Sequence, residues 1–212
     1  MLSGSADTTI RIWKNPLDNL VNNFNSDVDK EFISKAVYAH TSYVTCLKTH
    51  KIGSENYVIS GSADRTIKIW YATTDDLLIL QVLEGHQGWV NSLITMKLGL
   101  GADFVIISGS NDKSIRLWSS LNFRKISNNS TYKKDAHKSG ITCLTTACYK
   151  DNFVIISGSD DMTIKVWNPL DIDTPILQIT TSNAVKSLTS YFSNDVLLVA
   201  GLVNGTIQFF KF

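Results

Sequence analysis

One eleven-residue pattern returns along the whole chain, and a chain built from a returning unit folds as stacked copies of that unit. It reads SGSADTTIRIW at Ser3 to Trp13, SGSADRTIKIW at Ser60 to Trp70, SGSNDKSIRLW at Ser108 to Trp118 and SGSDDMTIKVW at Ser157 to Trp167, then decays to AGLVNGTIQFF at Ala200 to Phe210. A second pattern alternates with it: AHTSYVTCL from Ala39, GHQGWVNSL from Gly85, AHKSGITCL from Ala136 and the degenerate TTSNAVKSL from Thr180.

Inside each unit the period is two. Val58 and Ser60 alternate with Ile59, and Ile67 and Ile69 alternate with Lys68 and Trp70, so both faces of each strand carry large side chains. A sheet sandwiched between neighbouring sheets needs that pattern. Short Asp-centred segments such as Ser62-Ala63-Asp64-Arg65 have turn composition, so each unit reads as several short antiparallel strands. Pro16 and Pro169 follow the strands ending in Trp13 and Trp167, where they mark turns, and helix-period segments are absent.

Composition excludes other classes. With 43% hydrophobic and 18% charged residues, the 212-residue chain can bury a core without disulfides. A formal charge of +1 argues against polyanion binding driven by bulk charge. Cys46, Cys143 and Cys148 lack metal spacing and fit a reducing compartment. No apolar run is long enough to span a bilayer, so a cytoplasmic or nuclear protein without membrane contact is expected.

The trailing aromatics at 13, 70, 118, 167 and 210 lie 57, 48, 49 and 43 residues apart, near the propeller-blade period of about 40 to 50. With its Gly-His or Ala-His pair, Asp turn and terminal Trp in register, the chain resembles the WD-repeat β-propeller family. The usual Asp after that Trp is replaced by Lys14, Tyr71, Ser119 and Asn168. The resemblance implies an all-β fold, a WD-repeat β-propeller with about four to five four-stranded blades. The units are approximately 1–38 (partial), 39–84, 85–135, 136–180 and 181–212 (partial), within one propeller region over 1–212. Because the ends fall inside blades, an incomplete ring or part of a larger propeller is expected. The alternative is a five-blade ring closed by the existing ends.

The resemblance also implies a buried tetrad in each of three units: His40, Ser60, Asp64 and Trp70; His86, Ser108, Asp112 and Trp118; His137, Ser157, Asp161 and Trp167. The chemistry suits a relay, since an indole can only donate, a hydroxyl and an imidazole can do both, and a carboxylate accepts. In the last unit Phe210, Ala200, Thr181 and Asn204 replace all four members together. Ser, His and Asp also compose a hydrolase triad, but a catalytic site occurs once, each copy here is tied to a tryptophan, and no GxSxG elbow exists. No catalytic residue, cofactor, metal or small-molecule substrate is therefore expected. Cys46 and Cys143 fall six residues after their histidines, where other units carry Ser92 and Ser187, which reads as a packed small position.

Function then falls to loops and rims. Three residues after each histidine position stand Tyr43, Trp89, Gly140 and Ala184, a place that resembles the channel mouth of WD-repeat proteins. Tyr43 and Trp89 are candidate partner anchors. Arg65, Lys113, Asp160 and Met162 flank the turn aspartates and join them as candidates, a mixed set suited to a peptide or protein segment. Two insertions depart from the repeat: Asn15 to Lys35, expected as an outer loop, and Leu121 to Asp135, whose Arg124, Lys125, Lys133 and Lys134 permit an RNA-associated alternative. The expected function is a protein-binding scaffold in a multiprotein complex.

Overall fold

The structure, a computed structural model, describes residues 1–13, 34–97, 104–122, 125–126, 131–149, 152–192 and 196–211. Every regular element among them is a β-strand, and the strands form five antiparallel sheets in chain order. The first holds β1 (Leu2–Gly4), β2 (Thr9–Trp13) and β3 (Ser34–Tyr38); the second holds β4 (Val44–Ile52), β5 (Glu55–Ser62), β6 (Ile67–Ala72) and β7 (Leu77–Leu83). The third comprises β8 (Val90–Lys97), β9 (Phe104–Ser110) and β10 (Ile115–Asn122), with β11 (Lys125–Ile126) and β12 (Thr131–Lys133) both paired to β10. The fourth holds β13 (Ile141–Tyr149), β14 (Asn152–Ser159), β15 (Thr163–Trp167) and β16 (Leu177–Thr180), and the fifth holds β17 (Val185–Phe192), β18 (Val196–Leu202) and β19 (Ile207–Lys211).

Three sheets of four or more strands thus stand between two three-stranded end sheets, as expected of propeller blades. The innermost strands β4, β8, β13 and β17 pack in succession, and β1 packs on β4. No pairing joins the first sheet to the fifth among the described residues, so the sheets do not close into a ring. The closed five-blade alternative is not what the described residues form, since no strand of the first sheet pairs with one of the fifth among them.

Alternation along the strands builds the same core four times. Ile10 and Ile12 meet Val44, Val58 and Trp70 of the second sheet; Ile67 and Ile69 meet Val90, Phe104 and Trp118 of the third. Ile115 and Leu117 meet Ile141, Ile155 and Trp167 of the fourth, and Ile164 and Val166 meet Val185, Leu198 and Ala200 of the fifth. Each fully buried aliphatic side chain contributes about 1.5 to 3 kcal/mol. The glycine inside each Ser-Gly-Ser lets the next sheet close in. A Cβ on Gly109 would stand 2.6 Å from Ile141 Cγ2, and one on Gly158 2.6 Å from Val185 Cγ1.

A β-bulge opens each innermost strand, at Val44/Cys46, Val90/Ser92, Ile141/Cys143 and Val185/Ser187. It turns the intervening side chain sideways. Thr45 Oγ1 hydrogen-bonds Val90 O, Asn91 Nδ2 donates to Ile141 O at 2.7 Å, and Thr142 Oγ1 to Val185 O at 2.6 Å. Neighbouring sheets are therefore tied by hydrogen bonds as well as by apolar contact.

The expected outer loop Asn15–Lys35 lies outside the described residues up to residue 33, and Ser34 and Lys35 belong to β3. That strand must run the full length of β2, so it begins opposite Trp13. In the second insertion Arg124 lies outside the described residues, while Lys125 opens β11 and Lys133 ends β12.

Candidate functional site

The site grows from the turn between β5 and β6. Asp64 Oδ1 accepts from the Thr66 amide at 2.9 Å and the Thr66 hydroxyl at 2.7 Å, which folds the chain around Arg65 and drives its φ to 73°. Asp112 does the same with Ser114 around Lys113 (φ 68°), and Asp161 with Thr163 around Met162 (φ 62°). Asp7 and Thr9 enclose Thr8 (φ 73°), and Asn204 and Thr206 enclose Gly205 (φ 81°). The left-handed region costs a non-glycine residue about 1 kcal/mol or more, and only the last turn places glycine there.

The second oxygen of the carboxylate reaches into the sheet. Asp64 Oδ2 lies 2.8 Å from His40 Nδ1, His40 Nε2 lies 2.7 Å from Ser60 Oγ, and the Trp70 indole donates to Ser60 Oγ at 2.9 Å. His86 repeats these distances with Asp112 and Ser108, and Trp118 donates to Ser108 at 2.9 Å. In the fourth sheet Asp161 Oδ2 is 3.0 Å from His137 Nδ1, Ser157 Oγ 2.7 Å from Nε2, and Trp167 donates to Ser157 at 2.8 Å. The four residues named for each unit are thus contiguous in all three. Consistent polarity runs from indole through hydroxyl and imidazole to carboxylate, with His Nδ1–H donating to Asp and Nε2 accepting from Ser. Each carboxylate also takes the amide after its histidine: Thr41 N at 3.1 Å, Gln87 N at 2.8 Å and Lys138 N at 2.8 Å.

Burial disfavours the imidazolium and lowers the pKa of all three histidines against the opposing pull of their aspartates, His137 to about 4. Burial alone would raise the carboxyls of Asp64, Asp112 and Asp161. Hydrogen bonds from the neighbouring hydroxyls, amides and histidines outweigh it and hold all three below the usual range. The network is therefore a neutral imidazole on an ionised carboxylate.

Serine, histidine and aspartate do stand in triad order, but the three serines are fully buried and each hydroxyl already takes an indole N–H. A substrate carbonyl would have to prise packed sheets apart to reach one. Burial also pushes the Cys46 thiol to about 12 and Cys143 to about 11, so neither forms thiolate at neutral pH. Among the described residues no group of three or more His, Cys, Asp or Glu could hold a metal ion.

The end units show what the relay loses. In the first, Trp13 donates to Ser3 at 2.8 Å and Asp7 holds its own turn, with no histidine joining them. In the fifth, Asn204 keeps the turn, Ala200 is buried without a polar group, and Thr181 Oγ1 bonds to Asn183 O at 2.7 Å instead. Two recurring contributors are absent from the sequence expectations. One is the hydroxyl two residues after each turn aspartate (Thr9, Thr66, Ser114, Thr163), visible as an invariant Thr or Ser within the repeat. The other is the cation two residues before the tryptophan: Lys68 Nζ donates to Ala39 O at 2.8 Å and Lys165 Nζ to Ala136 O at 2.7 Å, fastening the segment that carries the histidine.

The rim candidates divide into two groups. The Tyr43 carbonyl accepts from Ala63 N at 2.9 Å and that of Trp89 from Asn111 N at 2.9 Å, which sets each ring beside a turn. The rings meet edge to face with centroids 6.2 Å apart and are 50% and 47% exposed. Arg65 and Lys113 project from those two turns into solvent. Asp160 is paired with Lys186 at 2.9 Å, its amide donates to the Gly140 carbonyl, and Met162, two residues on, is exposed. The expected mixed set is therefore a cationic aromatic half and a neutralised half. A separate groove of about 660 Å³ lies at the opposite strand ends, among Met1, Trp13, His50 and Tyr57.

Comparison with known proteins agrees with this architecture. The family model for the WD domain, G-beta repeat, matches residues 32–71, 78–119 and 128–168. The chain is 31% identical to the Nuclear distribution protein PAC1 of Candida tropicalis, over 46% of this chain and 21% of that one. It is 30% identical to the Cell division control protein 4 of Candida albicans, over 41% of this chain and 12% of the relative. The matches span about a fifth or less of these relatives' length. No helix among the described residues is long and apolar enough to cross a membrane. Three matched stretches covering more than half of the residues, together with the stacked antiparallel sheets, show that this chain belongs to the WD-repeat family.

Proposed function

We propose that the chain is a non-catalytic scaffold of a cytoplasmic or nuclear multiprotein complex, which captures a partner protein through its rim with Tyr43 and Trp89 as anchors. In this reading the three tetrads brace the blades and take no part in recognition. The observation that carries the reading is the exposed Tyr43–Trp89 pair, two large rings half in solvent where other units carry Gly140 and Ala184. Burying such rings against a partner is a strong source of binding energy. The relatives' names, nuclear distribution and cell division control, agree with a role in cellular assemblies rather than in metabolism. The RNA-associated alternative rested on Arg124, Lys125, Lys133 and Lys134; of these, Lys125 and Lys133 lie on different strands.

Affinity capture of co-purifying proteins, comparing the natural chain with a Tyr43→Ala plus Trp89→Ala variant, tests this. Partner recovery is expected to fall at least about tenfold, since each anchor is worth about 1 kcal/mol or more, with an unchanged melting temperature. Undiminished recovery removes the rim site.

A further inference from the structure

Resting on the rim reading above, we infer that the exposed surface around Tyr43 and Trp89 recognises an acidic, extended peptide segment that carries an apolar side chain between carboxylates. The geometry is a short chain of contacts. The Arg65 turn is hydrogen-bonded to the Tyr43 backbone through Ala63, Tyr43 touches Trp89, and the Trp89 backbone is bonded through Asn111 to the turn that carries Lys113. Two cations therefore bracket two aromatic rings, all four side chains exposed.

Cations outnumber free acids on this half of the rim: Asp7, in the turn bonded to Val44, is exposed and lies 3.7 Å from Arg11. The carboxylates nearest the cations, Asp64 and Asp112, are 8% and 11% exposed and committed to His40, His86 and the turn hydroxyls. Glu84 is the one exposed acid lining the crevice of about 600 Å³ beside Arg65, and in the neighbouring fourth sheet Asp160 is paired with Lys186 while Lys138 is exposed. Arg65 offers a planar fork to a carboxylate, and Lys113 a point charge. The interplanar angle of 72° turns the rings into an apolar corner. It offers no parallel platform for stacked bases, and so few cations are too sparse for a nucleic-acid backbone.

The backbone supplies well-behaved variants. Arg65 and Lys113 both hold left-handed φ, so Arg65→Gly plus Lys113→Gly deletes the charges while relaxing the turns. Fluorescence polarisation with a labelled Glu-Glu-Phe-Glu-Glu peptide, its Gln-Gln-Phe-Gln-Gln counterpart and a twelve-nucleotide oligo-uridine reads the outcome. The acidic peptide is expected to bind at least tenfold more tightly than the neutral one. The double glycine variant should erase that preference with no loss of melting temperature. Equal binding of both peptides, lost only in Tyr43→Ala plus Trp89→Ala, would overturn the acidic preference and leave the rim site standing. Preference for the uridine oligomer, an unchanged preference in the glycine variant, or no binding of the acidic peptide would also overturn the inference. Partner recovery in the affinity capture decides the rim site separately.

Discussion

In the third sheet Ile115 and Leu117 are 0% and 7% exposed, whereas their counterparts in the fifth, Ile207 and Phe209, are 63% and 66% exposed. The third sheet is packed on both sides and carries a complete relay from Trp118 to Asp112. The fifth presents one face to solvent and carries Phe210, Ala200, Thr181 and Asn204 instead. The two differences belong together. A fully buried indole such as Trp118 must find an acceptor, and a buried hydroxyl or imidazole must find partners in turn, so between these two sheets the polar set is either whole or replaced at every position. Phe210, half-buried, asks nothing of Ala200.

Three measurements sharpen or break this contrast. The largest effect is expected from acid. In a window that opens at about pH 6.5, and for His137 extends to about pH 4, the unfolded chain takes up protons on histidine that the folded chain refuses, because burial lowers the pKa of His40, His86 and His137. Stability is therefore full above that window and falls as pH drops, by up to about 1.4 kcal/mol per pH unit for each histidine. Below pH 4 the depressed aspartates act with the same sign. Denaturant unfolding across pH 4 to 7 checks the slope, and a flat profile would contradict neutral buried imidazoles.

Next in size, His86→Ala should cost about 2 to 4 kcal/mol by stranding Ser108 and Asp112, against about 1 kcal/mol for Thr181→Ala in the fifth sheet. Equal losses in chemical denaturation would dissolve the comparison. The smallest difference concerns close approach. Gly109→Ala forces a methyl against Ile141 of the next sheet and should cost about 2 kcal/mol, whereas Gly201→Ala meets only the Ser187 hydroxyl, which can rotate, and should cost less than about 1 kcal/mol. Thermal midpoints of the two variants report it.

Much of this was legible in the residues. The Ile67/Ile69 and Ile115/Leu117 alternation and the tryptophan in each recurring strand follow from a repeat read in register, because equivalent positions meet equivalent surroundings, while the grouping of each His, Ser, Asp and Trp comes from the family resemblance. What the residues hid was less periodic or carried by the backbone. The bulge that swings Thr45 and Thr142 across to the next sheet changes register with no Gly or Pro within Val44–Cys46 or Ile141–Cys143 to announce it. The pairing of Asp160 with Lys186 links two sheets whose rotation about an axis no one-dimensional pattern specifies. The left-handed φ of Arg65, Lys113 and Met162 has no glycine to signal it, because an aspartate and a hydroxyl impose it.

That last arrangement separates architecture from display. With both ends of the hairpin clamped by a carboxylate and its neighbouring hydroxyl, the residue at the apex is a socket into which threonine, arginine, lysine and methionine have all been fitted without rebuilding the sheet behind it. Exchanging the apex residue would retune what the propeller greets while leaving how it stands unaltered.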